Sequence, residues 1–350
     1  MTEHHLHNKS TVVAKPITPS KHETICMNPF DNLAPATSFH FQFVYENSGA
    51  NQNFMEPHKL LSSLSSLLVE FPILAGTAHV DDGRWSVECN DAGVPVTIAH
   101  SKLELSDFSF GDYDQQPRDI HTQWMSPTDP VWQVQITYFR CGGVILISEL
   151  FHMLGDGETH SNLMKKWSNI YNSKSIVRPV LDRTMVRSSG GLPPSEFPQW
   201  HQSQEVIANY EHIFSKLPLC TSKLIVFTKD ELITMKARCT KTNSWVSTND
   251  ALCSHMWRLI VRARNTPQDH FTSLLHSYNI RKRVQPAICS DYVGYLVYSA
   301  QSEHVLVRNL LDNDLSHCAS ISRKTVDDIT PDKVQRFIDW IHVTSKSEVE

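Results

Sequence analysis

The sequence predicts an α/β protein built from two layered domains. Each half of the chain mixes segments that alternate apolar and polar residues with segments whose apolar residues recur at helical spacing. An irregular stretch rich in Pro, Ser and Gly separates the halves, and 350 residues suffice for two domains. We therefore predict an N-terminal domain over residues 1–172, a crossover over 173–218 and a C-terminal domain over 219–350.

Composition narrows the class of protein. A formal charge of −5 leaves no basic surface for nucleic acid, and no apolar run approaches the roughly 20 residues of a membrane span. The polar start "MTEHHLHNKS" does not resemble a signal peptide, and none of the eight cysteines forms a C-x-x-C pair. We expect a cytoplasmic protein with free thiols and no metal, because the cluster of His4, His5 and His7 is typical of an incidental tail.

The first elements follow from periodicity. Residues 38–45, "SFHFQFVY", alternate with period two and predict a half-buried strand. Leucines from Leu60 to Leu68 share one helical face, and Pro72 ends the helix that begins at Pro57. Residues 84–99 predict two strands around a turn at 90–93.

A second hairpin leads to the most informative motif. Residues 131–139 alternate, and Gly142 with Gly143 allows a tight reversal. The run "VILI", 144–147, lacks alternation, so both of its faces are expected to be buried. The hairpin delivers His152 to the end of a central strand, and a loop and a helix follow.

The second half is less regular. We predict a short helix at 206–214 within the crossover, strands at 223–228 and 292–298, and a closing helix in "PDKVQRFIDWI".

The strongest helical pattern of the second half is "VSTNDALCSHMWRLIVRAR". Ser247 and Asp250 have the spacing of a capping box, and Trp257 is expected to pack in a core. The predicted core face consists of Leu252, Met256, Leu259 and Ile260.

The stretch "ELFHMLGDGET", 149–159, combines His152 with Asp156 and Gly157. A neutral imidazole can accept a proton from an alcohol or amine, and a base at a strand end is held rigidly. The plainer alternative is a polar strand end with Asp156 as a turn or cap residue. Asp182 and Arg183 are interpreted as a structural pair that holds the crossover.

At this point the sequence resembles the BAHD acyltransferases, which are CoA-dependent enzymes of plants and fungi. His152, Asp156 and Gly157 match the family's H-x-x-x-D-G motif. Other segments resemble the family in the same order: "LLSSLSSLLVEFPILAG", "VECNDAGVPV", "CGGVILISELFHMLGDG", "RPVLDR", "VSTNDALCSHMWRLIVRAR" and "NIRKRVQPAICSDYVG".

The resemblance implies two chloramphenicol-acetyltransferase-like domains with a channel between them. His152 would deprotonate a hydroxyl or amine of a small-molecule acceptor, which would attack the thioester of acyl-CoA. Acyl-CoA would be a co-substrate, and neither a cofactor nor a metal would be needed. The resemblance also implies a monomer.

The resemblance further assigns the remaining motif residues. Asp156 would be structural, and would pair with Arg281, or else Arg283, on an arginine-rich strand. Tyr292 and Gly294 would belong to the Y-F-G-N turn that borders the channel.

Two departures from the family keep other functions open. The turn reads Tyr292-Val293-Gly294-Tyr295, so Tyr295 stands where the family has asparagine, and a D-F-G-W-G motif is absent. We therefore expect the second domain to be incomplete. A catalytically impaired binding or regulatory paralogue is the alternative function, and a peptide-condensation domain is a weaker third.

Overall fold

The structure is a computed structural model that describes residues 6–34, 37–49, 51–81, 83–107, 129–191, 224–240 and 245–347. The chain divides into two compact units. The large unit comprises residues 1–224, 288–296 and 338–350, and the small unit comprises residues 225–287 and 297–337. The prediction of a mixed α/β fold is confirmed. The predicted helix at 206–214 lies outside the described residues.

Most strands lie in the large unit. Its described elements are β1 (Leu6–Ala14), β2 (Thr24–Cys26), β3 (Ser38–Tyr45), α1 (Pro57–Glu70), β4 (Thr77–Asp81), β5 (Arg84–Glu88), β6 (Val94–Ser101), β7 (Trp132–Tyr138), β8 (Val144–Phe151) and α2 (Gly157–Tyr171). Five strands form a sheet in the order β1-β6-β7-β8-β3, in which only β6 and β7 run parallel.

Strand β8 is the most buried strand of this sheet. All eight of its residues are buried, which extends the prediction made for residues 144–147. It pairs with β3 on one side and β7 on the other, so every backbone group has a ladder partner available. A strand fixed in this way holds the residue that follows it, His152, at a defined position.

The predicted strands at 84–99 exist, but they do not pair with each other. β5 lies between β2 and β4 in a separate three-stranded sheet, whereas β6 pairs with β1 and β7. The intervening turn includes Gly93, whose φ of 97° is a conformation that favours glycine. The turn therefore moves the chain from one sheet to the other.

The small unit is mainly helical. Its described elements are α3 (Lys229–Cys239), α4 (Thr248–Ala263), β9 (Phe271–Thr272), β10 (Leu275–Asn279), β11 (Val297–Gln301), β12 (Val305–Leu306), α5 (Val307–Asp312) and α6 (Leu315–Asp327). The closing helix α7 (Pro331–Ser347) begins in the small unit and continues into residues assigned to the large unit, and it confirms the predicted helix. Two ladders, β10-β11 and β9-β12, are antiparallel.

Helix α4 and its capping box are confirmed, but the predicted core face is wrong. Leu259 and Ile260 are exposed, whereas Trp257 and Val261 are buried with residues of α5 and α6. Apolar residues occur at helical spacing on both faces of α4, so periodicity alone could not select the buried one. The expectation that Trp257 packs in a core is confirmed.

Two strand predictions in the second half are wrong. Residues 224–228 are not part of a strand, and Leu224, Ile225 and Val226 are more than half exposed. The other predicted strand, 292–298, begins only at Val297, because residues 294–296 bond to side chains of the large unit instead.

In the described part of the chain, no helix is long and apolar enough to span a membrane. The same residues contain no group of three or more His, Cys, Asp or Glu side chains arranged to hold a metal ion.

The cap of α4 allows a test of the small unit. Ser247→Ala removes the oxygen that accepts from the Asp250 N–H at 3.1 Å, so we expect the free energy of unfolding to fall by about 1 kcal/mol. Urea denaturation measures the change. Ser247→Thr keeps the oxygen and should cost less; equal losses in the two variants would contradict the capping role.

Candidate active site

His152 lies where the chain leaves the central sheet. It is the first residue of a short 3₁₀ turn, His152–Leu154, that follows β8 directly. Its backbone N–H donates to the Thr37 carbonyl at 2.9 Å, so the backbone is still held beside β3. The side chain is half-buried, which leaves part of the imidazole accessible.

The proton on the His152 ring can be assigned from its neighbour. Nδ1 lies 3.2 Å from the Gly155 carbonyl oxygen. Because a carbonyl can only accept, Nδ1 must carry the hydrogen in this contact. The neutral ring then has its lone pair on Nε2, for which the described residues supply no hydrogen-bond partner.

Aromatic rings flank the imidazole. The Phe39 ring centroid lies 4.4 Å from that of His152, and Tyr295 meets His152 edge-on at 5.4 Å. Tyr295 also contacts Phe30, at 6.3 Å between centroids. These contacts restrict the orientation of the imidazole on two sides.

Asp156 is buried and caps helix α2. Its Oδ1 accepts from the Thr159 N–H at 3.0 Å, and its Oδ2 accepts from the Leu296 N–H at 3.0 Å. The carboxylate thus links the start of α2 to segment 288–296. Arg281 belongs to the small unit, and its predicted pairing with Asp156 stays a prediction.

The segment around Gly294 is anchored by buried side chains. Thr159 Oγ1 accepts from the Gly294 N–H at 3.2 Å and donates to the Gly294 carbonyl at 3.0 Å. A Cβ on Gly294 would lie 2.3 Å from the Tyr292 ring, so only glycine fits there. Tyr292 is fully buried, and its hydroxyl accepts from Asn28 Nδ2 at 3.2 Å.

Arg183 forms a buried ion pair, but its partner is Asp31 and not Asp182. Arg183 Nη1 lies 2.9 Å from Asp31 Oδ1, and Nη2 donates to the Leu154 carbonyl at 3.2 Å. Asp182 instead accepts from the Thr184 N–H at the start of a short turn. The prediction that Arg183 is structural thus identified the wrong partner.

Asp31 collects backbone hydrogen bonds as well. Its Oδ1 accepts from the Tyr295 N–H and its Oδ2 from the Asn28 N–H, each at 3.0 Å. Burial raises the pKa of Asp31, while Arg183 and these two N–H groups oppose the shift. The carboxylate therefore joins three distant parts of the chain.

Other predicted site residues lie in different surroundings. Arg281 and Arg283 belong to a turn after β10, whereas the resemblance to the BAHD family implied that they lie on a strand. Arg281 is buried and donates through Nη1 to Asn279 at 3.2 Å. Gly157, the last residue of the motif, is exposed as the first residue of α2.

A second histidine, His160, lies in the core beneath β3. It is fully buried among Phe39, Phe41 and Phe43, and Nε2 lies 2.9 Å from Ser148 Oγ. Burial lowers the pKa of His160 to about 4, so the ring is neutral at pH 7.

Sequence reasoning missed Asp31, Asn28 and His160. Asp31 lies in a short turn, Asp31–Leu33, with no periodic signal, and its partner is 152 positions away. His160 lies in α2, three residues before Leu163. Nothing in the helical pattern distinguishes it from other polar helix residues, and it is not part of the motif that contains His152. Only the tertiary structure brings these residues together.

The half-buried imidazole of His152 thus stands at the end of a central strand in a mixed α/β chain, which is the arrangement expected of an acyltransferase with an H-x-x-x-D-G motif. The Transferase family model matches residues 4–349, and the chain belongs to this family, the BAHD acyltransferases. Proteins of this family transfer acyl groups from acyl-CoA to small-molecule acceptors, and the chain is such an acyltransferase.

Curated relatives support this assignment. The chain is 26% identical to tryptamine hydroxycinnamoyltransferase 2 of Oryza sativa subsp. japonica, over 91% of this chain and 74% of the relative. It is also 26% identical to shikimate O-hydroxycinnamoyltransferase of Nicotiana tabacum, over 83% of this chain and 69% of the relative.

Solved structures share the fold. Vinorine synthase has a TM-score of 0.69 at 20% identity, covering 92% of this chain and 76% of that one. TRI101 of F. sporotrichioides, complexed with coenzyme A and T-2, has a TM-score of 0.70 at 19% identity, covering 91% and 78%. The prediction of a chloramphenicol-acetyltransferase-like fold agrees with these neighbours.

Breaking the buried pair should be costly. Arg183→Met leaves the Asp31 carboxylate buried without its cation, so we expect a loss of about 3–5 kcal/mol in the free energy of unfolding. Asp182→Ala, at the adjacent exposed position, removes only a cap and should cost far less. Urea denaturation compares the two, and similar losses would refute the assignment of Asp31 as the partner.

The buried His160 should make the fold sensitive to acid. Between pH 6.5 and about 4 the unfolded chain protonates this histidine while the folded chain does not, so stability falls as pH falls. The slope contributed is at most about 1.4 kcal/mol per pH unit.

His160→Gln keeps a polar partner for Ser148 but does not titrate. Its melting temperature should therefore fall less steeply than that of the unmodified protein across this pH range. Superimposable profiles of melting temperature against pH would show that His160 is not responsible.

Proposed function

We propose that the protein transfers an acyl group from acyl-CoA to a hydroxyl or amine of a small-molecule acceptor, with His152 as the general base. The hydrogen bond from Nδ1 to the Gly155 carbonyl carries the proposal, because it leaves Nε2 with the lone pair that a base requires. Acyl-CoA serves as a co-substrate, and the reaction needs neither a metal nor a covalent enzyme intermediate.

The reaction balances with one base. Nε2 of His152 takes the proton of the acceptor hydroxyl or amine as its oxygen or nitrogen attacks the thioester carbon. The carbonyl electron pair moves onto oxygen and forms a tetrahedral oxyanion. Collapse re-forms the carbonyl, breaks the C–S bond, and returns the proton from His152 to the CoA thiolate.

Asp156 supports the base without touching the substrate. Both of its carboxylate oxygens accept backbone N–H groups, from Thr159 and Leu296. These bonds fix the start of α2 and thereby the Gly155 carbonyl that orients His152. We assign Asp156 a positioning role for this reason.

The neighbours of His152 and the relatives guide the choice of substrates. Phe39 and Tyr295 give the surroundings of the base an aromatic character that suits planar acyl groups. Relatives are named as hydroxycinnamoyl and benzoyl transferases, on both oxygen and nitrogen acceptors. We propose hydroxycinnamoyl-CoA and benzoyl-CoA as first donors, with shikimate, tryptamine and anthranilate as first acceptors.

One observation favours an impaired paralogue as the second candidate. Tyr295 replaces the asparagine of the family turn, directly beside the His152 ring. Such a protein would bind a donor or an acceptor without turnover.

The test is release of free thiol from acyl-CoA in the presence of an acceptor. His152→Ala should lower the rate by about 10²–10⁴-fold, because the proton acceptor is lost. The exposed His58 offers a matched control, and His58→Ala should leave the rate unchanged.

Undiminished turnover in His152→Ala would refute the role of this residue as base. Calorimetric binding of a donor without turnover in the unmodified protein would favour the impaired paralogue.

A further inference from the structure

The backbone around Tyr295 is fixed by hydrogen bonds beside His152. Three consecutive backbone N–H groups, those of Gly294, Tyr295 and Leu296, donate to Thr159, Asp31 and Asp156. Because the backbone is fixed on both sides of Tyr295, its side chain can move only by changing rotamer. Contacts with Phe30 and His152 then restrict the rotamer, so the phenol occupies a defined place next to the base.

The hydroxyl of Tyr295 is not used by the described protein. It has no hydrogen-bond partner among the described residues. It is also absent from the completely buried side-chain atoms that lack a partner, so these residues do not enclose it fully. Buried tyrosines usually find a partner for the hydroxyl. By comparison, the hydroxyl of the nearby Tyr292 bonds to Asn28, so an unused hydroxyl is not a general feature of this segment.

The phenol is a donor rather than a second base. Burial, and to a smaller extent the Asp156 charge, raise the pKa of Tyr295 to about 12. The hydroxyl therefore keeps its proton over the whole range in which a histidine base works. A rigid, protonated donor near a base suits a site where negative charge develops.

We infer that the Tyr295 hydroxyl donates a hydrogen bond to the acyl carbonyl oxygen of the substrate at His152 and stabilises the oxyanion formed on it. The inference rests on the proposed function of His152. The phenol proton is not transferred: the acceptor's proton goes to Nε2, the carbonyl electron pair goes to the oxygen that Tyr295 contacts, and collapse reverses the second step. The centroid distance of 5.4 Å places both rings within reach of one small molecule.

Kinetics of Tyr295→Phe test the inference. The change keeps the ring and removes only the hydroxyl, so kcat should fall about 10²-fold or more, whereas KM for the donor should rise by no more than about 10-fold. Tyr298→Phe is the control, because it removes another mostly buried phenol oxygen, in β11 of the small unit, and should leave kcat unchanged. A merely structural Tyr295 would lower the melting temperature of the Phe variant but leave kcat of the folded protein intact, which would overturn the inference.

Binding provides a readout that does not require turnover. A carba(dethia) analogue of benzoyl-CoA has a methylene in place of the thioester sulfur and keeps the carbonyl. Its affinity should be about 3- to 10-fold weaker in Tyr295→Phe, because one neutral hydrogen bond is lost. Equal affinity and equal kcat in the variant and the unmodified protein would overturn the inference.

The two proposals fail in different ways. If Tyr295→Phe is fully active but His152→Ala is inactive, the base assignment stands and the Tyr295 inference falls. If His152→Ala remains active, or the unmodified protein has no turnover, the proposed function falls, and weaker analogue binding by Tyr295→Phe still supports the hydrogen bond. Absence of both turnover and analogue binding overturns both.

Discussion

The geometry around His152 depends on the buried pair of Arg183 and Asp31. Arg183 also donates to the carbonyl of Leu154, two residues beyond His152, and Asp31 also accepts from the N–H of Tyr295. The pair therefore joins the turn that carries the base to the segment that carries its aromatic neighbour. Burying two charges costs several kcal/mol per ion, and the cost is offset only where the remaining donors and acceptors are satisfied. Asp31 meets this condition through its additional backbone N–H donors, whereas Nε of Arg183 is buried without a partner among the described residues. The pair therefore fixes positions more than it adds stability.

In segment 288–296, buried carboxylates accept backbone hydrogen bonds that a neighbouring strand would otherwise accept. No described strand pairs with residues 294–296, so their backbone N–H groups need other acceptors. Asp31 and Asp156 supply these acceptors for Tyr295 and Leu296. Hydrogen bonds to a carboxylate are stronger than those between neutral groups, which allows two side chains to hold what a partner strand would otherwise hold. The ladder with β10 accordingly begins only at Val297.

The sequence was informative where one local pattern decides the structure. Alternation located β3 and β7, an apolar run without alternation located β8, the leucine face located α1, and Ser247 with Asp250 located the start of α4. The sequence was misleading where one pattern of apolar residues is compatible with two different structures. Apolar residues on both faces of α4 fit a helix equally well, and the apolar residues from Tyr292 to Leu296 fit a strand that the buried carboxylates prevent. It carried no information on Asp31 and Arg183, because their distance along the chain hides their contact.

The spacing of His152 and Asp156 has a physical reason beyond the motif itself. Residues His152–Leu154 form one short turn, and the carbonyl of the next residue, Gly155, comes back to Nδ1 of His152. Asp156 follows at once as the cap of α2, so the helix that fixes the Gly155 carbonyl starts at the earliest position that the turn permits. A shorter interval would remove the carbonyl that selects the tautomer, and a longer one would let that carbonyl move relative to the helix. The four-residue interval therefore couples the tautomer of His152 to the start of a rigid helix, and a histidine and an aspartate at that distance without the intervening turn would lack this coupling.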